Sequence, residues 1–233
     1  MIRAFALWVL MAAPVGAVQC DVRGYYTVCA ITPQTEDLRL FRADSDGTVY
    51  GSFSAIERAA GPLAFAMNAG MYHPDRSAVG LYVEERQEQM RLVTNAGPGN
   101  FGMLPNGVLC IGSDWARVVE TLRFEREALD CTYATQSGPM LVIDGDLHPR
   151  FLKDSTSRYI RNGVGQSEDG KTLYFVISDK PVSFYDFGSF FRDVLKTPQA
   201  LYFDGKISRL YAPSIGRDDG GFSMGPIIGI LAP

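Results

Sequence analysis

The segment Ala134-Thr135-Gln136-Ser137-Gly138-Pro139-Met140-Leu141-Val142-Ile143-Asp144-Gly145 contains the pattern that decides the fold class. A polar, Gly-rich stretch at residues 135–139 leads into the short apolar run Met140–Ile143, and an Asp-Gly pair ends that run. Short apolar runs bounded by Gly, Pro, Asn or Asp are typical of β-strands. The segment therefore predicts a loop, a strand and a turn in direct succession.

Similar apolar runs recur on both sides of this segment. They predict strands at residues 25–31, 38–41, 63–67, 80–83, 90–94, 108–111, 173–177 and 201–203. Helices are fewer: residues 183–195 place apolar side chains on one face behind a Ser183 cap, and residues 54–60 and 124–129 are shorter candidates. The pattern is typical of an α+β fold, a single domain built on a mixed, mostly antiparallel β-sheet with few helices.

The composition is that of an ordinary globular protein. The chain has 233 residues, of which 46% are hydrophobic and 21% are charged, so it can build one domain with a sizeable core. Its 22 basic and 26 acidic residues give a net charge of −4, and no block of Lys or Arg exceeds two residues. Neither a nucleic acid nor an anionic membrane surface is therefore expected as a partner.

The first residues are typical of a secretory signal peptide. Arg3 supplies a positive charge, residues 4–13 are apolar, and residues 15–17 are small or β-branched, as a signal peptidase requires. A membrane anchor or a buried helix is the alternative, but a span needs about twenty apolar residues. We therefore expect a signal peptide at residues 1–17, a domain at residues 18–233, a periplasmic or secreted location and no membrane span.

All four cysteines follow the predicted cleavage site. In an oxidising compartment an even number of cysteines indicates disulfides, with three pairings open. We favour Cys20–Cys29 and Cys110–Cys131, because each pair closes a short local segment. A zinc site is the alternative, but neither histidine lies near a cysteine in the sequence.

Six polar, Gly-rich segments border the predicted strands. They comprise residues 67–76, 97–107, 135–139, 144–150, 157–163 and 203–208. Loops at the ends of a sheet hold functional groups on a rigid frame, so these segments predict one shared cleft.

Arg158 and Arg161 are the anion-binding candidates of that cleft. They lie three residues apart beside Ser157, Asn162 and Gly163, which places guanidinium groups and backbone N–H groups in one stretch. Guanidinium groups bind two phosphate oxygens at once. The alternative is that both arginines form ion pairs with surface carboxylates.

Candidate acids and bases come from the same segments. Ester and glycoside hydrolysis needs a carboxylate, and those in Gly-rich segments are Asp75, Asp144, Asp146 and Asp204. Asp144-Gly145 and Asp204-Gly205 also fit ordinary turns.

The two histidines, His73 and His148, each precede a proline, which makes their backbone extended. A general acid, a phosphate contact, a metal ligand or a buried structural residue all suit such a histidine. No short spacing of histidines supports a metal, so no cofactor is expected, with a divalent cation as the alternative. Motifs of serine hydrolases and of nucleotide-binding loops do not occur.

Several of these segments resemble, in order, the blocks of the phosphodiester glycosidase family, which includes the enzyme that uncovers mannose 6-phosphate on lysosomal glycoproteins and many bacterial exported proteins. The matching residues are 68–72, 100–101 with 105–107, 134–139, Arg158 with 162–165, and 200–205. The resemblance implies hydrolysis of a sugar 1-phosphodiester, with a small carbohydrate or a phosphodiester-linked glycan as substrate.

The resemblance also implies roles for individual residues. Arg158, together with Arg161, would hold the phosphate, and Asp204 or Asp144 would act at the anomeric carbon or on water, with His148 as a further catalytic candidate. The remaining substrate-binding candidates are Asn68, Gly70, His73, Arg76, Asn100, Asn106, Gln136, Ser137, Gly138, Asn162 and Ser208.

One block departs from the family pattern. Active members usually read Leu-Asp-Gly-Gly-Gly-Ser-Ser where this chain has Phe-Asp-Gly-Lys-Ile-Ser-Arg at residues 203–209. The lost glycines favour a second hypothesis, an inactive glycan- or cell-wall-binding protein that uses the same cleft. A structural protein whose polar segments only make turns is the third, and it does not explain the order of the blocks.

Overall fold

The computed structural model describes residues 18–233, so the predicted signal peptide lies outside the described residues. In chain order the strands are β1 (Gln19–Arg23), β2 (Tyr26–Ile31), β3 (Leu38–Phe41), β4 (Leu63–Asn68), β5 (Tyr82–Glu84), β6 (Gln87–Met90), β7 (Gly107–Ile111), β8 (Ala116–Glu120), β9 (Tyr133–Ser137), β10 (Met140–Ile143), β11 (Asp146–Leu147), β12 (Asn162–Gln166), β13 (Leu173–Ser178), β14 (Gln199–Asp204), β15 (Leu210–Ala212), β16 (Arg217–Asp218) and β17 (Ile227–Leu231). The α-helices are α1 (Phe53–Ala60), α2 (Thr121–Glu127) and α3 (Phe184–Ser189).

The described strands form three sheets. The first has the order β1-β2-β13-β12-β14-β10-β11, the second β16-β15-β4-β17-β3, and the third β6-β5-β9-β7-β8. Every pairing between these strands is antiparallel. The predicted α+β fold with mostly antiparallel strands and few helices is confirmed, with the strands divided among three sheets.

One hydrophobic core joins the three sheets. Phe175 of the first sheet, Phe65 of the second and Leu109 of the third belong to the same buried cluster. The rings of Phe65 and Phe175 lie 5.2 Å apart, in the tilted contact that aromatic pairs prefer. Because each sheet buries one face against the others, the polar side chains that the core cannot accept gather at the strand ends.

Helix α3 covers the outer face of the first sheet. Ser183 caps it as the sequence predicts: the Asp186 N–H donates to Ser183 Oγ at 3.1 Å, and the Ser183 N–H donates to Asp186 Oδ2 at 3.3 Å. The chain continues as a π-helical turn, Phe190–Val194, and buries Phe187 and Phe191 on the sheet. Within residues 18–233, no helix combines the length and apolar character that crossing a membrane requires.

Three local predictions differ from the structure. The strand expected at residues 90–94 lies at Gln87–Met90, residues 135–137 of the segment 135–139 expected as a loop belong to β9, and the last two residues of the segment 157–163 begin β12. Gln136, Ser137 and Asn162 are buried within those strands. Their polarity suggested loops, but each side chain forms hydrogen bonds inside the protein, which is how a strand accommodates buried polar groups.

Both predicted disulfides are present. Cys20–Cys29 links residues that face each other across the β1–β2 pair. Cys110–Cys131 ties β7 to the segment that precedes β9 in the third sheet. The described residues contain no free cysteine.

Candidate functional site

A cleft of about 410 Å³ opens where three of the polar segments meet. His73, Asn100 and Asp204, one from each segment, line it together with Tyr72 and Lys206. The first segment follows β4, the second precedes β7 and the third follows β14. Three sequence-predicted site residues therefore meet in one cavity.

Asp204, the last residue of β14, is the acidic residue that lines this cleft. Its Oδ1 accepts hydrogen bonds from the N–H groups of Gly205 at 2.6 Å and Lys206 at 2.9 Å. Within the described chain, Oδ2 takes part in no hydrogen bond. Burial raises the pKa of the carboxyl above its ordinary value, although these N–H groups oppose the shift. One carboxylate oxygen is thus fixed, and the other is free to act.

A buried pair of asparagines holds the Asp204 end of β14 in position. Asn68 and Asn162 are fully buried, and Asn162 Nδ2 donates to the Asn68 carbonyl at 2.9 Å. Asn162 Oδ1 in turn accepts from the Asp204 N–H at 3.1 Å and from Ser208 Oγ at 3.3 Å. Because these amides are occupied by protein partners, Asn68, Asn162 and Ser208 hold the end of β14 in place instead of reaching into the cleft.

Arg161 is a buried cation beside this pair. Its Nε donates to the Val182 carbonyl at 2.9 Å and its Nη2 to the Ser157 carbonyl at 3.2 Å. The guanidinium lies 3.7 Å from the ring centre of Phe184. In the described structure its Nη1 has no hydrogen-bond partner and no carboxylate pairs with it. Since a buried charge is costly without a counter-charge, this arrangement fits a site that receives an anion.

Tyr202 connects Arg161 with Asp204. It stands two residues before Asp204 on β14, across a shift in the β12–β14 register, and the charge of Asp204 contributes to raising the pKa of its phenol, so the two side chains lie close together. The Arg161 guanidinium lies 5.4 Å from its ring centre, and a side chain at Gly205 would clash with its hydroxyl. That hydroxyl is buried beside the Arg161 guanidinium and the Asn100 side chain, and burial raises the pKa of the phenol. The glycine at 205 therefore keeps room for a second buried polar group.

Asp144 and Arg158 lie outside this arrangement. Asp144 occupies the exposed turn after β10, where both oxygens of its carboxylate accept from Arg123, at 3.0 and 2.8 Å. Gln199, the first residue of β14, also donates to it, which puts Asp144 about 17 Å from the Asp204 end of that strand. Arg158 is half exposed and pairs with Asp186 at 2.9 Å. The structure thus places the surface ion pair, the alternative considered for the arginines, at Arg158 and not at Arg161.

The two histidines have different surroundings. His73 is exposed at the rim of the cleft. His148 is 1% exposed, stacks on Phe151, and accepts a hydrogen bond on Nδ1 from the Arg150 N–H at 3.2 Å. Burial lowers the pKa of the His148 imidazole, so it is neutral at physiological pH. His148 therefore belongs to the aromatic packing behind the site, and His73 faces the cleft.

The buried polar residues of β9 in the third sheet support the structure. Gln136 Oε1 accepts from the N–H groups of Leu81 and Val93, both at 3.0 Å, and its Nε2 donates to the Val93 carbonyl at 2.7 Å. Ser137 Oγ donates to the Phe203 carbonyl at 3.0 Å, one residue before Asp204. These bonds tie β9 to the cleft loops.

Close backbone approach explains two of the predicted glycines. A Cβ at Gly70 would lie 2.5 Å from the Gln136 carbonyl oxygen, and one at Gly138 would lie 2.6 Å from Asn106 Cβ. Asn106 Nδ2 donates to the Phe101 carbonyl at 3.1 Å, which fixes the loop that carries Asn100. The glycines and Asn106 therefore shape the cleft wall.

No group of three or more His, Cys, Asp or Glu side chains within residues 18–233 is arranged to hold a metal ion. The expectation of a reaction without a cofactor, and its alternative of a divalent cation, both stay predictions.

Sequence reasoning missed Tyr72, Tyr202 and Arg209 as site residues. Tyr72 lines the cleft, and burial raises the pKa of its phenol, with the charge of Asp204 adding to the shift. Tyr202 gave only a weak signal, because the bulge that separates it from Asp204 in the β12–β14 pairing cannot be read from residue alternation. Arg209 gave a weaker signal, a lone arginine directly before the apolar residues 210–212.

Comparison with known proteins shows the family of this chain. Residues 62–220 match the family model described as phosphodiester glycosidase, a range that contains Tyr72, Arg161, Asp204 and Arg209. The chain belongs to the phosphodiester glycosidase family. The chain is similar to the uncharacterized protein YigE of Escherichia coli (strain K12). The two are 34% identical over 184 residues, which cover 78% of this chain and 72% of YigE. Membership in this family implies a carbohydrate-type substrate.

Two solved structures share the fold. A hypothetical protein from Synechocystis superposes with a TM-score of 0.61 at 14% identity, covering 92% of this chain, which spans 61% of that protein. The catalytic domain of zebrafish N-acetylglucosamine-1-phosphodiester alpha-N-acetylglucosaminidase, auto-inhibited by its pro-peptide, superposes with a TM-score of 0.60 at 13% identity, covering 93% of this chain and 82% of that domain. At these identities the likeness shows the fold of the family and not the substrate.

Proposed function

We propose that this protein is an exported hydrolase that cleaves sugar 1-phosphodiesters in the cleft at Asp204. The observation that carries the proposal is the free carboxylate oxygen of Asp204 in the cleft, with two buried polar groups behind it: the Tyr202 hydroxyl, whose pKa the charge of Asp204 raises, and Arg161 Nη1, which has no hydrogen-bond partner in the described chain. Family membership supports the reaction type. The two disulfides support export to an oxidising compartment.

The donors and the carboxylate suit the two halves of such a reaction. Arg161 and Tyr202 bind the phosphate oxygens and stabilise the negative charge that grows as the bond between the anomeric carbon and oxygen breaks. A phosphate monoester is a good leaving group, so a strong general acid is unnecessary. Asp204 acts at the anomeric carbon or takes the proton of the attacking water. Asn100 and His73 lie on the cleft wall, where sugar hydroxyls would bind.

The experiment compares the two carboxylates beside β14. We expect Asp204→Asn to lower kcat/KM about 10²- to 10⁴-fold on sugar 1-phosphodiesters, because the base or nucleophile is lost while size and shape are kept. The matched control, Asp144→Asn, removes an exposed carboxylate engaged by Arg123 and should change kcat/KM less than twofold. Release of free sugar from nucleotide sugars and alkyl sugar phosphates is the assay. Turnover that survives in Asp204→Asn contradicts the proposal.

The segment that departs from the family pattern favours a second candidate. Lys206 and Ile207 line the cleft where active members have glycines, so their side chains take up space beside Asp204. A glycan-binding protein that keeps the cleft without the chemistry would show saturable binding of the same compounds and no product. Calorimetric titration alongside the assay separates the two functions.

A further inference from the structure

Arg209 is a second buried arginine at the Asp204 end of β14. It is 6% exposed, and its backbone N–H donates to Asn68 Oδ1 at 2.8 Å. Across residues 18–233, no hydrogen bond or ion pair involves its guanidinium. The nearby Asp219 is engaged by Arg217 at 3.0 Å and by the Leu210 N–H at 3.0 Å. Arg209 is therefore a buried cation whose neighbouring carboxylate is already paired.

Gly221, in the segment Gly220-Gly221-Phe222-Ser223, lies against this guanidinium. A Cβ at Gly221 would lie 2.5 Å from Arg209 Nη2, and the φ of +138° at this residue favours glycine. None of the four backbone N–H groups of residues 220–223 donates to another described residue. The four residues are exposed, so these N–H groups are open to a ligand, and a guanidinium beside backbone N–H groups is a donor set that binds oxyanions.

Tyr72 joins this donor set to the cleft. It lines the cleft, and its hydroxyl donates to the Ser223 carbonyl at 3.5 Å. Arg76, a predicted substrate-binding residue, lies 5.4 Å from the Tyr72 ring centre and donates from Nε to Ser223 Oγ at 3.5 Å. Phe222, 82% exposed, presents an aromatic ring at the same rim. Basic and aromatic groups thus continue from the cleft past Tyr72.

Each of the two buried arginines is connected to Asp204 through a different tyrosine. Arg161 contacts Asp204 through Tyr202, whereas Arg209 approaches it through Tyr72. Both backbones meet at Asn68, which bonds Asn162 next to Arg161 and the N–H of Arg209. Arg209 is therefore a second buried cation close to the Asp204 end of β14, available to a molecule that binds at Asp204.

We propose that Arg209 and residues 220–223 form a second anion subsite, which binds an acidic group carried by the sugar itself. The subsite deepens the proposed function, on which its placement rests: the substrate class becomes sugar 1-phosphodiesters whose sugar carries a phosphate or a carboxylate. Neutral sugars then lack one of the two charge contacts.

Binding of two sugar phosphates that differ by one phosphate group tests the subsite without turnover. We expect the wild-type protein to bind glucose 1,6-bisphosphate about tenfold or more tightly than glucose 1-phosphate in calorimetric titrations, because a charge-assisted contact is added. Arg209→Gln should remove that preference, and the matched control Arg126→Gln, an exposed arginine on α2, should keep it. Equal affinities of the two ligands for the wild type overturn the subsite, as does an unchanged preference in Arg209→Gln.

A second variant and a turnover assay separate the subsite from the proposed function. If Arg209→Gln does not fold, Arg209→Lys replaces it in the titrations. Lysine keeps the positive charge but lacks the planar guanidinium, so we expect a reduced preference for glucose 1,6-bisphosphate. A preference as large as that of the wild type overturns the subsite. For turnover we expect a larger kcat/KM with UDP-glucuronate than with UDP-glucose. Bisphosphate preference without any turnover contradicts the proposed function alone, and turnover of both nucleotide sugars without any charge preference contradicts the subsite alone.

Discussion

The two ends of β14 show how differently one strand can treat acidic side chains. At its start, beside Gln199, Asp144 is exposed and holds a two-point ion pair with Arg123. At its end, Asp204 is largely buried and has no ion pair within the described chain, while Arg161 lies nearby with an unoccupied Nη1. At the first end, Asp144 and Arg123 neutralise each other in an ion pair. At the second end, Asp204 and Arg161 form no ion pair.

The difference supports the Asp204 end as the candidate functional end. An ion pair at the surface is solvated and adds little to stability, so its partners are free to satisfy each other. Buried charges that stay unpaired cost free energy, and proteins keep such groups mainly at functional sites. Both ends carry an Asp-Gly pair in the sequence, at 144–145 and 204–205. Burial and pairing, and not residue type, distinguish a turn from a site.

The largest expected effect comes from the buried arginine at the functional end. Arg161→Lys keeps the charge but loses the guanidinium fork, so we expect kcat/KM on sugar 1-phosphodiesters to fall about 10²- to 10³-fold. The matched control Arg158→Lys alters a half-exposed ion pair and should stay within about twofold. Steady-state assays of both variants, with thermal unfolding to confirm folding, provide the measurement. Equal losses in the two variants would remove the distinction between buried and surface arginines.

The next effect concerns the asparagine pair that supports the functional end. Asn162→Ala leaves the Asp204 N–H and the Asn68 side chain without their partners, so we expect the free energy of unfolding to fall by about 3 kcal/mol. Urea denaturation measures the loss. Asn95→Ala, at an exposed position, is the control and should change stability by less than about 0.5 kcal/mol. A loss of similar size in both variants would show that burial of the pair is not the cause.

The smallest effect is a difference in sign between the two carboxylates. Burial raises the pKa of Asp204 in the folded state, so wild-type stability falls as pH rises above the unfolded-state pKa of that group. The Arg123 hydrogen bonds lower the pKa of Asp144, so its stabilising contribution is present at neutral pH and is lost as pH falls through the folded-state pKa.

At pH 7, Asp204→Asn should therefore raise the melting temperature, and Asp144→Asn should lower stability by less than about 1 kcal/mol. Both differences from the wild type should shrink in acid, where the carboxyls are protonated. Calorimetric melting curves at neutral and acidic pH measure them. A stability change of the same sign in both variants at pH 7 would contradict the comparison between the two carboxylates.

Local patterns allowed the sequence to predict much of the fold. The strands at 38–41 and 140–143 have the predicted bounds, and the Ser183 cap begins α3. The polar character of Gln136 and Asn162 suggested loops, although both lie in strands. Their hydrogen-bond partners are residues distant in sequence, which a local pattern does not show. Whether a polar residue faces a strand partner or solvent depends on tertiary pairing, which periodicity does not contain.

The candidate site was predictable in part for the same reason. Asp204, Asn100 and His73 do share one cleft, as their Gly-rich segments suggested. Arg158 and Arg161, three residues apart, looked equivalent in the sequence, yet only Arg161 enters the protein, beside Phe184 and Tyr202. The face of the chain that turns inwards is set by the pairing of β12 with β13 and β14, which the sequence did not reveal.

The Cys20–Cys29 bond also affects how this protein meets other copies of itself. Strand β1 is the outermost strand of the first sheet and is mostly exposed, whereas β2 beneath it is largely buried and apolar. If β1 dissociated from the sheet, β2 would become an exposed, apolar edge strand. Such an edge can pair with a strand of another molecule and cause aggregation. The bond fastens the two strands at directly opposed residues. It therefore protects against aggregation at a weak border of the fold, far along the chain from the residues that carry the chemistry.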